Sequence, residues 1–215
     1  MKSRLLSEVG GIAHAFGTLH ESLPEPFREG FIFPRWRQNH GTQSVRVDTA
    51  GQDCKEADAL YSFRHGLPVA VVTADCVPIL MARRSGDGVA AVHAGWRGTR
   101  ARILKILWEN LMYEGERPEE WVAAIGPAIG PCCYEVSEVL SDDFAQQFSE
   151  WDPGIVVPRK RHLDLPGINE AELKSIGLHQ VEVLRACTRC SSDPVFHSFR
   201  REGGGTRQWS VIMRE

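Results

Sequence analysis

The stretch Val69 to Gly98, VAVVTADCVPILMARRSGDGVAAVHAGWRG, constrains the fold more than any other part of the chain. Val69–Val72 with Val77–Met81 makes one apolar, β-branched run and Val89–Val92 a second, and Arg83-Arg-Ser-Gly-Asp-Gly88 between them carries turn chemistry. The pattern predicts a hairpin with both strands largely buried. Cys76 interrupts the first run inside a polar Thr-Ala-Asp-Cys patch, and His93 ends the second just before Gly95-Trp-Arg-Gly98. Buried strands give up core positions only for a structural or chemical reason.

At 215 residues the chain is expected to form one domain, burying about 70% of its unfolded surface without a covalent staple. The net charge is −3, and no basic cluster exceeds Arg83-Arg84 and Arg159-Lys-Arg161. Nothing here points to nucleic acid or an anionic membrane, and a small-molecule partner is expected. The N-terminus has only a token apolar run, and no segment approaches the ~18 apolar residues of a membrane span. A cytoplasmic monomer or small homo-oligomer is expected. The six cysteines, Cys54, Cys76, Cys132, Cys133, Cys187 and Cys190, then stay reduced, which favours metal binding or catalysis for some of them.

Around the hairpin the pattern alternates between strands and helices. Ile12–Phe16, Gly30–Pro34, Ser44–Asp48, Ala57–Tyr61, Trp121–Ile125, Gln180–Leu184 and Gln208–Met213 read as strands, with 21–30 and 51–56 as loops. Thr99–Met112 places Ile103, Leu104, Leu107, Trp108 and Leu111 at helical spacing, starting at Gly98-Thr99. Ser137–Phe148 and Asn169–Ser175, the latter ended by Gly177, read as further helices, and Trp151–Arg161 as irregular. With no repeat and no linker, the expectation is a single mixed α/β domain.

His40, Cys76 and His93 each lie at or near the end of an apolar strand beside small residues. Two imidazoles and a thiolate suit zinc or copper, with a fourth position for water or substrate. Taken singly, each also reads as a core cysteine or a hydrogen-bonded histidine. A third reading makes Cys76 a nucleophile, His93 its base and Asp75 the group that orients the histidine. Gly95-Trp-Arg-Gly98 is either a tight turn with a packed indole or a ligand loop. In the second case Arg97 offers a fork to an anion and the following helix N-terminus adds positive potential. Cys187-x-x-Cys190 lacks a second such pair and reads as loop cysteines, with half a zinc site or a redox pair as the other reading. Cys132-Cys133 reads as packing beneath Gly126–Pro131, which is a strand-end turn or a pocket wall. The remaining histidines read as surface or structural.

Asn39-His40-Gly41, Thr73-Ala-Asp-Cys76-Val-Pro78, His93-Ala-Gly-Trp-Arg-Gly98 and Ile125-Gly-Pro-Ala-Ile129 with Tyr134-Glu-Val136 together resemble the YfiH family of laccase-like proteins. Asp164-Leu-Pro-Gly-Ile-Asn169, Cys187-Thr188 and Phe196-His-Ser-Phe-Arg200 resemble its C-terminal half. Its members are described as polyphenol oxidases, purine nucleoside phosphorylases or peptidoglycan editing factors. The resemblance implies one laccase-type domain over residues 1–215, an α/β (α+β) fold with a mixed β-sheet layered by helices, related to that of deamidase toxins. It also implies a metal, usually zinc, on His40, Cys76 and His93, with copper as the other choice. Asp75, Cys76 and Arg97 are the expected catalytic residues.

The substrates implied are a purine nucleoside and phosphate: phosphorolysis of adenosine, inosine and methylthioadenosine, and deamination of adenosine. A three-ligand metal suits attack of water at C6 of adenosine, and Arg97 with the helix N-terminus is the natural phosphate cradle. A cysteine- or metal-dependent amidase that edits a peptidoglycan precursor is the alternative. Laccase chemistry needs several coppers on many histidines, often as His-x-His pairs, and this sequence has none. The family's N-terminal Thr-Arg-x-Gly-Gly segment has no counterpart around Phe16-Gly-Thr-Leu-His-Glu21. The N-terminal region therefore reads as shortened, and the arginine of that segment has no evident counterpart here.

Overall fold

The protein is described by a computed structural model covering residues 1–193 and 195–215. In chain order the strands are β1 (Ile12–Phe16), β2 (Arg35–Arg37), β3 (Ser44–Arg46), β4 (Asp53–Glu56), β5 (Ala59–Ser62) and β6 (Val69–Thr73). They continue with β7 (Val77–Arg83), β8 (Val89–Ala94), β9 (Trp121–Ile125), β10 (Gln180–Val183) and β11 (Gln208–Arg214). The helices are α1 (Arg4–Ser7), α2 (Trp96–Arg100), α3 (Ile103–Tyr113), α4 (Glu138–Gln147), α5 (Pro153–Val156), α6 (Leu165–Ile176) and α7 (Phe199–Glu202).

The strands form a six-stranded mixed sheet in the order β10-β9-β7-β8-β5-β3, a three-stranded sheet β1-β11-β6 and a pair β2-β4. Alternation along the central strands shows why their sequences are apolar throughout. Val77, Ile79 and Met81 of β7 and Ala90, Val92 and Ala94 of β8 face one core, with α3, α4 and α6. Leu80 and Ala82 of β7 and Val89 and Ala91 of β8 face a second core, shared with Val69 and Val71 of β6 and Ile212 of β11. Successive side chains point to opposite faces, and both faces are covered, so neither can be polar. The outer face of the small sheet, with Ala70, Val211 and Met213, is closed by Phe27 and partly buried aromatics including Trp36 and Trp209. The domain is thus layered as helices, large sheet and small sheet, the mixed α/β architecture expected.

The structure divides the expected first run of the hairpin in two. Val69–Thr73 pairs with β11 in the small sheet, whereas Val77–Arg83 pairs with β8 and β9 in the large one. Residues 74–76 are the corner between the sheets, and Asp75 there has φ 89°. The polar patch therefore marks a change of sheet within an otherwise buried run.

Other departures are local. The strand expected at 30–34 lies at Arg35–Arg37, and Asp53–Glu56, expected as loop, pairs with it. The helix expected from Thr99 is two helices, broken at Arg102, whose φ of 60° cannot continue α2. All five predicted apolar positions of α3 are buried, each Leu-sized side chain contributing roughly 1.5–3 kcal/mol. Helix α6 begins four residues earlier than expected, because the Asp164 side chain accepts from the Gly167 amide and caps it. The segment expected as irregular contains the short α5.

Candidate metal centre

Three strands of the large sheet bring their chemistry to one end. Asp58 precedes β5, Cys76 precedes β7 and His93 nearly ends β8, with Ala59 opposite Val92 and Val77 opposite Ala94. His40 arrives from the turn after β2, in a left-handed conformation at φ 61°. The donor atoms of His40, Cys76 and His93 lie within 4.8 Å of one another. Cys76 Sγ is 3.9 Å from His40 Nδ1, and the two imidazole centroids are 4.8 Å apart. His93 is buried, Cys76 half-buried and His40 exposed, so the cluster opens to solvent on the His40 side.

One fully buried carboxylate organises this arrangement. Asp58 accepts hydrogen bonds from the backbone amides of Asn39 (3.2 Å), His40 (3.0 Å) and Gly41 (2.8 Å). Its Oδ1 also lies 2.7 Å from His93 Nδ1. The same side chain therefore sets the His40 turn and the His93 ring, leaving Nε2 of His93 as the nitrogen for a ligand. A carboxylate behind a ligating imidazole is the usual support of a histidine–metal bond. Gly95 completes the cradle: a Cβ there would sit 2.9 Å from His40 Nδ1 and 3.0 Å from Cys76 Sγ.

Electrostatics tie these groups together. Burial opposes ionisation of Cys76, but hydrogen bonds and charge from His40 and His93 outweigh it and bring the thiol down to about 6. Burial likewise opposes a charged His93, yet Asp58 and Cys76 raise it to about 9. The donor set is of the kind a divalent cation replaces protons on.

Asp75 lies beside this cluster with its carboxylate already engaged. Thr188 Oγ1 donates to Oδ1 at 2.5 Å and the Arg200 amide to Oδ2 at 2.7 Å. The group that orients His93 is thus Asp58, where Asp75 was expected. Arg97 is exposed in the first turn of α2, its guanidinium 4.5 Å from the Trp96 ring centre. That helix begins at Trp96, so Arg97 lies within it and does not precede it. Arg200 stands 5.3 Å over the Tyr134 ring. Burial, reinforced by the charges of Cys76 and Asp75, pushes the Tyr134 hydroxyl up to about 12.

The Gly126–Pro131 turn borders a cleft of about 230 Å³ lined also by Cys132, Arg185 and Cys187. Beside it the two cysteine pairs meet: Cys132, Cys133, Cys187 and Cys190 place their sulfurs within 4.8 Å of one another. The C-x-x-C therefore has the second pair that it was expected to lack. His14 and His197 are buried structural histidines, bonded to Ser3 and Thr206 respectively.

A family profile described as multi-copper polyphenol oxidoreductase laccase matches residues 27–215. The chain belongs to this family. A relative within it, named purine nucleoside phosphorylase, from Deinococcus radiodurans, is 40% identical over 184 residues, which is 84% of this chain and 69% of the relative. Another, named adenosine deaminase RL5, from an unknown prokaryotic organism, is 30% identical over 80% of this chain and 68% of its own length. The crystal structure of the YfiH protein of Bacillus licheniformis superposes with a TM-score of 0.75 at 29% identity, covering 86% of this chain and 74% of that one. The fold and family expected from the motifs are those found. Among the described residues, no helix is long and apolar enough to cross a membrane.

Proposed function

We propose that this chain is a metal-dependent purine nucleoside enzyme centred on His40, Cys76 and His93. The observation that carries the reading is the convergence of three donor atoms within 4.8 Å, beside a glycine whose Cβ would collide with two of them. Two imidazoles and one thiolate are donors for zinc, and copper accepts the same set. A zinc ion held there supplies Lewis acidity at neutral pH.

The chain's own groups do the remaining work. Asp58 fixes the imidazole of His93 and the turn that carries His40, so both present their nitrogens without reorganisation. Cys76 enters as a thiolate, favoured by its two histidine neighbours. Arg97 offers a planar fork to phosphate, which phosphorolysis of adenosine, inosine or methylthioadenosine requires near C1′ of the ribose. Asp75, gripped by Thr188 and the Arg200 amide, holds the corner from which Cys76 projects. Deamination of adenosine uses the same centre without phosphate. The names of the Deinococcus and RL5 relatives support this pair of activities. Phenol oxidation, the activity in the family's description, is then a side reaction of the copper-loaded centre.

The test is release of ammonia from adenosine, and of hypoxanthine from inosine with phosphate, before and after chelation. Turnover lost to the chelator and restored by zinc supports the assignment, and turnover indifferent to chelation contradicts it.

A second reading rests on one observation: Asp58, His93 and Cys76 form an orienting acid, a base and a thiol of lowered pKa, the elements of a cysteine nucleophile. It makes the chain an amidase for a peptidoglycan precursor. Amidase turnover that survives chelation and is abolished by Cys76→Ser would establish it in place of the first.

A further inference from the structure

We propose that Cys132, Cys133, Cys187 and Cys190 form a second metal centre, a tetrathiolate site for one structural zinc ion. Zinc–thiolate bonds of about 2.3 Å in a tetrahedron set neighbouring sulfurs ~3.8 Å apart. Here Cys132 Sγ and Cys190 Sγ are 3.6 Å apart, and all four sulfurs lie within 4.8 Å of one another. All four cysteines are free thiols, and four sulfur donors in a compact group select zinc over harder cations.

The backbone offers one of the sulfurs a donor. The Gly130 amide donates to Cys187 Sγ at 3.4 Å. An amide aimed at a sulfur favours its thiolate form, the form that binds a metal. Cations stand just outside. Arg159 Nη2 donates to the Cys132 carbonyl at 3.2 Å, and Arg201 Nη1 to the carbonyls of Thr188 and Arg189 at 3.1 and 3.3 Å. They offset the dianionic charge of a zinc tetrathiolate. The two segments are brought into register by Ala128 and Cys187, where the Ala128 amide donates to Ala186 O (3.2 Å) and the Thr188 amide to Ala128 O (3.0 Å).

Four protein sulfurs close the coordination shell, so the site is structural and not catalytic. Its role follows from what the two segments hold. The Ile129 amide donates to Asp75 O at 2.9 Å and Thr188 Oγ1 to the Asp75 carboxylate at 2.5 Å. Joining the segments braces two of the three groups that grip the corner carrying Cys76, the third being the Arg200 amide. This centre is independent of the reading given above for His40, Cys76 and His93.

The test is metal analysis of the full chain purified under reducing conditions with zinc, as the His40→Ala/His93→Ala double variant. That variant is expected to retain one zinc per chain. Loaded with cobalt, it should show the intense sulfur-to-cobalt charge transfer of a tetrathiolate. Adding Cys187→Ser and Cys190→Ser should abolish both signals; should that protein fail to fold, the cobalt spectrum of the double variant still decides. A double variant without zinc overturns the proposal, as does one whose four cysteines all titrate freely in the folded state or pair as a Cys132–Cys190 disulfide. Iron in place of zinc, with an iron–sulfur chromophore, overturns it equally.

Discussion

Asp58 Oδ1 lies 2.7 Å from His93 Nδ1 while the same carboxylate accepts the amides of Asn39, His40 and Gly41. One buried side chain thereby couples the ring that ends β8 to the turn that carries the other histidine. The candidate centre is preorganised by a residue that donates nothing to it.

Asp58→Asn keeps an oxygen acceptor but removes the charge that orients His93. Loss of such a supporting carboxylate typically weakens metal binding 10–100-fold, and that decrease is expected in a competitive chelator titration. Unchanged affinity would show that the Asp58–His93 contact has no part in holding a metal.

Gly95→Ala tests the cradle by volume alone. The backbone at Gly95, φ −73°, suits any residue, so the added Cβ acts through its approach to His40 Nδ1 and Cys76 Sγ. The variant is expected to fold with a near-native melting temperature and to lose most of its affinity for zinc. Full zinc affinity in the folded variant would mean that the three donor atoms do not converge as described.

Arg97→Ala is expected to raise the phosphate KM of inosine phosphorolysis at least tenfold, about 1.4 kcal/mol, without changing zinc content or phosphate-free deamination. A uniform fall in both reactions would instead place Arg97 in binding the nucleoside.

Glu172 makes a pH prediction unrelated to the centre. Burial outweighs the Arg102 guanidinium 3.6 Å away and raises this carboxyl from 4.5 to about 7. The folded state then holds its proton more tightly than the unfolded chain, so stability falls as pH rises from about 4.5 to about 7. Glu172→Gln should be nearly neutral at pH 4.5 and stabilising at pH 8, by up to about 3 kcal/mol. Denaturant titrations at the two pH values check this, and equal stabilities of the two proteins at pH 8 would contradict it.

The parts of this fold that sequence made legible are those where a local pattern has one structural meaning. The spacing from Ile103 to Leu111 fits one face of a helix, and the structure buries those residues. Val69–Met81 reads as one run because both faces of β6 and β7 are covered; the polar patch at residues 74–76 marks a break in it, but nothing local says that the chain changes sheets there. Cys76 breaks an apolar run and His93 ends one, whereas His40 stands in the polar Asn39-His40-Gly41 turn and joins them by its motif; the structure brings the three together. Asp58 is not legible in the sequence, because nothing in Ala57-Asp-Ala59 announces a buried carboxylate. Its partners are amides and a ring that only tertiary structure delivers. The cysteine pairs do not read as a group in the sequence, because the Ala128–Cys187 bridge joins segments far apart in the chain. Thr188 and Arg200 likewise reach Asp75 only through the fold.

The most direct measurement is metal content and nucleoside turnover of Cys76→Ala beside the unaltered protein. The expected result is a loss of one metal ion per chain together with loss of ammonia and hypoxanthine release, in a protein with an unchanged circular dichroism spectrum. Undiminished metal in the variant, or full turnover without that ion, would contradict the assignment of His40, Cys76 and His93 as the working metal centre.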